Sequence, residues 1–316
     1  MNKLLTYLNT KQYFTNHWKC DVFSNAFYLS DAELKRWSIT RLQLEALPQV
    51  KTVGMNKYNI VGVNEINTSL LKPTGRPLTD LHRWMLDRLQ ETELPNEMEV
   101  SPYWNTFFNH RERFPEFFFK VDTFSGRVHT PITGMSHLIR PNLILRNEKT
   151  VSLDVSQMQP TLLGAILKNS VGTNSFSQAI DEGLDIYSML QSTAQLDGRK
   201  EGKKRFFEIL FGKPNDQLTK MLKGANWLDW INQYKSADEP RNPNGREKQY
   251  SNLAWLLQTY EVQIMSKIWR ELAEKAIPFL TVHDEIIVQE QHLQQATEIM
   301  TNILNKHFIK FKINTK

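Results

Sequence analysis

The chain has 316 residues, 40% hydrophobic and 23% charged, enough to bury a sizeable core in one large domain or two ordinary ones. No run of about 18 apolar residues occurs and the start MNKLLTYLNTKQ lacks a signal-peptide core, so a cytoplasmic protein without a membrane span is expected. Lys and Arg exceed Asp and Glu by 39 to 34, a net +5 compatible with a polyanionic partner, and the lone Cys20 has neither a disulfide partner nor zinc-ligand spacing.

Residues 1–71 are expected to form a small, mainly helical N-terminal part. The stretch KPTGRPLTD at 72–80 is punctuated by proline and glycine and suggests a boundary. Within a linker and thumb-like region over 72–115, LTDLHRWMLDRLQ at 78–90 has helical periodicity with Thr79 or Asp80 as N-cap. The segments NHRERFPEFFFK at 109–120 and, further on, GRKEGKKRFF at 198–207 mix cations with rings, a combination that suits phosphates and base faces. A solvated basic face beside core aromatics fits each cluster equally well.

From about 116 the pattern turns strand-like: FFFKVDT, a Ser125-Gly126 turn, LIRPNLIL, then TVSLDVSQ with apolar residues at 151, 153 and 155. A helix is expected from Pro160, residues 186–212 read as largely helical, and 213–250 as loop-rich. A long helix over 253–276 ends before Pro278. LTVHDEIIVQ at 280–289 then reads as a hairpin with charged residues at its tip, and a helix over 291–308 closes the chain.

Asp154 at a strand end and Asp284 at a hairpin tip can meet on one sheet. Two aspartates held close repel unless a cation lies between them, and hard oxygen ligands of this kind suit magnesium completed by waters and phosphate oxygens. Alone, Asp154 also reads as a helix cap, and His283, Asp284 and Glu285 as a polar turn. Arg199, Lys203, Phe207 and Phe211 recur every four residues and so share one helix face, able to neutralise a triphosphate and stack on a nucleotide, or simply to dock the helix.

DVSQ at 154–157, Arg199/Lys203/Phe207/Phe211-Gly212 and VHDE at 282–285 resemble, in order, motifs A, B and C of family-A DNA polymerases. Gly126-Arg127 resembles the pair preceding motif A, and LLQ at 256–258 the glutamine-bearing helix before motif C. The resemblance spans about 120–290. It implies an α+β catalytic domain over 116–316: a right-hand palm with an antiparallel sheet and helical fingers, with motif A at 154–159, motif B at 199–212 and motif C at 282–285. Asp154, Asp284 and the Val155 carbonyl would hold two magnesium ions, for which manganese can substitute. Lys203 would act in catalysis and, with Arg199, Phe207, Phe211 and Gln159, in binding the nucleoside triphosphate. Arg127, Gln157, Gln258, His283 and Glu285 would hold primer and template.

The chain departs from that family at the sugar gate. Its DNA-synthesising members usually carry glutamate two residues after the motif A glutamine, packed against a motif B tyrosine, where this chain has Gln159 and Phe211. Weak ribose discrimination is therefore expected. Glu208 stands where the family generally has glycine, and too few residues precede the palm for an exonuclease domain plus a full thumb. In size and motif departures the overall layout resembles the small family-A-derived proteins of staphylococcal cassette mobile elements, implying primer synthesis on single-stranded DNA beside an element-encoded helicase and a small accessory protein. A gap-filling or translesion polymerase on primer-template DNA and a non-catalytic DNA-binding scaffold remain the alternatives.

Overall fold

The computed structural model describes residues 26–28, 59–61, 75–95, 107–108, 111–112, 115–214 and 225–316. The chain divides into two units, Met1–Thr74 and Gly75–Lys316. In the first, β1 (Ala26–Tyr28) and β2 (Asn59–Val61) pair in parallel. The helices expected in 1–71, and Cys20, otherwise fall outside the described residues.

The second unit opens with α1 (Asp80–Gln90), which Thr79 caps: its hydroxyl accepts from the His82 amide while the His82 ring accepts from the Thr79 amide. Met85, Leu86 and Leu89 form its buried stripe. After β3 (Thr92–Glu93), the expected FFFKVDT strand loses its first two residues to a 3-10 turn over Pro115–Phe118, because proline presets the φ of a first helical turn. Only β4 (Lys120–Val121) survives as strand, paired with β5 (Val128–His129). Then come β6 (Ile144–Leu145), β7 (Glu148–Val155) and α2 (Met158–Val171), which starts two residues before Pro160 and holds it in its first turn.

Four helices follow: α3 (Ser175–Glu182), α4 (Ile186–Thr193), α5 (Gly198–Phe211) and α6 (Asn226–Ser236). The last corrects the loop-rich reading of 213–250. Its Trp227, Leu228 and Ile231 are all buried, a helical spacing that the flanking prolines obscure. Next is α7 (Asn252–Glu274), with β8 (Phe279–Val282), β9 (Glu285–Gln289), α8 (Leu293–Leu304) and β10 (Ile313–Thr315) completing the unit.

The six-stranded sheet runs β3-β6-β7-β9-β8, with β10 also paired to β7, and all its pairings are antiparallel. Every residue of β8 and β9 is buried, which accounts for their near-continuous apolar runs. The second unit is thus α+β, with eight helices among the described residues and an antiparallel sheet. None of those helices is long and apolar enough to cross a membrane.

Helix α7 is the spine of this unit. At about 1.5 Å per residue it runs about 35 Å, and it meets α1, α2, α5, α6 and α8. Its core stripe is Leu253, Leu257, Ile264, Met265, Ile268, Trp269 and Leu272, at the 3- and 4-residue spacings of one face. Glu261, only 1% exposed, interrupts that stripe. A carboxylate in an apolar seam needs partners that repay its desolvation.

Candidate active site

The sheet register brings the two expected aspartates to neighbouring strand ends. Asp154 pairs with Glu285 across β7 and β9, and the Val155 amide donates to the Asp284 carbonyl at 3.4 Å. Val282 pairs with Glu285, so His283 and Asp284 are the two residues of the hairpin turn. His283 takes a left-handed φ of 58°, and Gln157, just after Asp154 in sequence, one of 57°. Such backbone is uncommon for residues other than glycine and clusters where geometry is over-determined.

The electrostatics are those of crowded acids. The Asp284 carboxyl is pushed up to about 8, first by burial and then by the negative charges of Glu261 and Asp154. The Lys316 ammonium lies 2.8 Å from Asp154 Oδ2, brought there by the pairing of β10 with β7. Hard carboxylate oxygens crowded in this way fit a divalent cation, which would take the place of the Lys316 ammonium at Asp154. Among the described residues no three His, Cys, Asp or Glu side chains gather to hold a metal ion unaided, so such an ion would take further oxygens from water or substrate.

A cationic and aromatic face stands beside these acids. Asp185 caps α4 by accepting from the Tyr187 and Ser188 amides, and it also accepts from Arg199 Nε, tying α4 to α5. The Arg199 guanidinium lies 5.0 Å from the Tyr187 ring centroid, and the Lys203 ammonium 5.7 Å from it and 5.9 Å from that of Phe207. Phe207 and Phe211 stack at 5.5 Å. The Tyr187 phenol is pushed above its usual range by burial first and then by Asp284, with Arg199 opposing and Asp185 and Asp154 adding. One side chain thus feels both candidate metal carboxylates and underlies both candidate phosphate ligands.

Part-buried ion pairs surround the hairpin tip. Arg127 grips Glu261 through Nε and Nη2, each at 2.8 Å, and Gln159 Nε2 donates to the same carboxylate. Arg140 and Ser152 both donate to Glu285. His129 pairs with Asp122 at 3.0 Å. Burial alone would raise the Asp122 acid, but His129 and the Ser125 and Gly126 amides outweigh it and hold it well below the usual range. His283 lies edge-to-face on His129 at 5.7 Å and is pushed down to about 3 by burial, then by Arg127, His129 and Arg140, so its ring is neutral at pH 7.

Of the remaining expected residues, Gln157 uses its carboxamide oxygen internally, accepting from the Ile186 amide at 2.9 Å, and Gln258 is half-buried on α7. Tyr187, Glu261, Arg140 and the Asp122–His129 pair escaped the sequence reading. Glu261 alone had a visible signal, as a charge on the apolar face of a long helix. No family model and no curated protein sequence matches this chain.

Proposed function

We propose that the protein is a template-directed nucleotidyltransferase of the family-A polymerase kind, making short primers on single-stranded DNA, with the antiparallel sheet as its palm and α4 and α5 in the fingers. The observation that carries this reading is Tyr187, which joins the Asp154/Asp284 carboxylate pair to the Arg199/Lys203 face. Acids and cations that both act on one side chain match a reaction in which a 3′-hydroxyl attacks an α-phosphate: the new O–P bond forms as the bond to pyrophosphate breaks.

Asp154 and Asp284 would hold magnesium or manganese, with the Val155 carbonyl at the same strand end, and the bound ions would neutralise charge on the reacting phosphate oxygens. Arg199 and Lys203 neutralise the triphosphate, Phe207 and Phe211 offer ring faces to the nucleotide, and the ion pairs around His283 and Glu285 support the primer end. A rigid support is useful because orientation within tenths of an ångström governs such transfers.

The test incubates the whole chain with single-stranded DNA, magnesium or manganese, and labelled ribo- or deoxynucleotides, with and without an annealed primer. Short products made without primer and lost in Asp154→Ala support primer synthesis. Extension only from a primer, with deoxynucleotides favoured, replaces it with a gap-filling polymerase. Salt-sensitive DNA binding without product under any condition leaves a non-catalytic scaffold.

A further inference from the structure

Lys316 reaches Asp154 through the register of β10 on β7. Asn314 stands opposite Asp154, and Lys316 exchanges both backbone hydrogen bonds with Ser152 at 3.0 Å, which makes Lys316 the diagonal neighbour of Asp154 on one side of the ladder. Such diagonals are about 7–8 Å apart, within the span of a lysine stem, and the ammonium lies 2.8 Å from Asp154 Oδ2. The contact is lightly held. The Lys316 side chain is 55% exposed, and β10 is a three-residue strand paired, among the described residues, only to β7.

The arginines around the hairpin tip are committed elsewhere. Arg127 is forked onto Glu261, and Arg140 onto Glu285 and the Met135 carbonyl, while Gln159 and Ser152 add further donors to the same two carboxylates. Among the described residues, Lys316 is the one cation in an ion pair with either candidate metal ligand. An ammonium and a divalent cation seek the same oxygen lone pairs and repel each other, so Asp154 serves one at a time. Resting on the reading of Asp154 and Asp284 as metal ligands, we propose that Lys316 is a tethered counter-ion that holds Asp154 until a divalent cation displaces it, so that the β10 segment sets the concentration at which metal loads. The displaced ammonium turns to water, where most of its side chain already lies.

The experiment titrates the whole chain with manganese at low ionic strength, without nucleotide or DNA, and follows the free ion by electron paramagnetic resonance. Lys316→Met keeps the backbone pairing of β10 and removes the competitor, so the dissociation constant is expected to fall roughly fivefold, the size of a modest ion pair. Lys316→Arg keeps the charge and is expected to stay within about twofold of wild type. Lys312→Met removes the same charge from an exposed lysine of the same segment and should leave the constant unchanged, with melting temperature monitoring the fold of each variant. Equal affinity in wild type and Lys316→Met, an equal gain in Lys312→Met, or no manganese bound by any of the four proteins overturns the inference. The primer-synthesis assay judges the nucleotidyltransferase reading separately: products with an unshifted constant leave that reading standing without the counter-ion, whereas a shifted constant with no product under any condition leaves a lysine-gated metal site without polymerase chemistry.

Discussion

At the residue scale, the two cations of α5 are unequal in spite of their shared face. Arg199 already donates to Asp185, whereas the described contacts of Lys203 are with the Tyr187 and Phe207 rings and its side chain is exposed. A triphosphate can recruit Lys203 without breaking an ion pair. Lys203→Ala is therefore expected to raise the apparent KM for nucleotides about tenfold, a loss of about 1.4 kcal/mol. Arg199→Ala should raise it less, because an exposed pair worth up to about 1 kcal/mol must first open for Arg199 to help. Steady-state kinetics with varied nucleotide decides it: an unchanged KM in Lys203→Ala would remove α5 from triphosphate binding.

At the scale of elements, the alignment of α5 with α4 depends on one close approach. A Cβ added at Gly202 would stand 2.1 Å from the Tyr187 carbonyl oxygen, far inside contact distance and against backbone that cannot swing away. Gly202→Ala should push α5 off α4, withdrawing Lys203 from Tyr187. It should cost stability on the scale of overpacking, roughly 1–3 kcal/mol, where helix propensity alone would favour alanine by about 1. A denaturant titration checks the sign, and a stabilised variant would mean that the two helices are not held so closely.

The sequence made legible what is locally encoded: the α1 cap, the charged hairpin tip, and the four-residue spacing that puts Arg199, Lys203, Phe207 and Phe211 together. It concealed what tertiary structure imposes. The three-residue β10 has no pattern of its own and exists because β7 offers it an edge, which is how Lys316 reaches Asp154. Tyr187 read as one more residue of a helical stretch, and the partnership of Arg127 with Glu261 spans 134 positions that no periodicity links. The α6 helix was lost among prolines that lie outside it.

At the scale of the whole molecule, every side chain of the candidate site lies within Gly75–Lys316. So do the sheet that holds the carboxylates and the α7 stripe that buries Trp269 and Leu272. About 240 residues around one sheet approach the size at which single cores stop growing, ample for independent folding. A fragment spanning 75–316 is therefore expected to unfold in one cooperative urea transition, and, if the functional reading holds, to retain magnesium-dependent binding of nucleotides. Its slope with denaturant should scale with the surface it exposes, and Ile268→Ala, which empties a fully buried position, should cost about 2–5 kcal/mol of stability and so lower the midpoint without changing that slope. A fragment that melts without cooperativity and binds hydrophobic dye would show that the sheet needs residues 1–74 to close its core. Cooperative folding without nucleotide binding would instead assign those residues a share in the site.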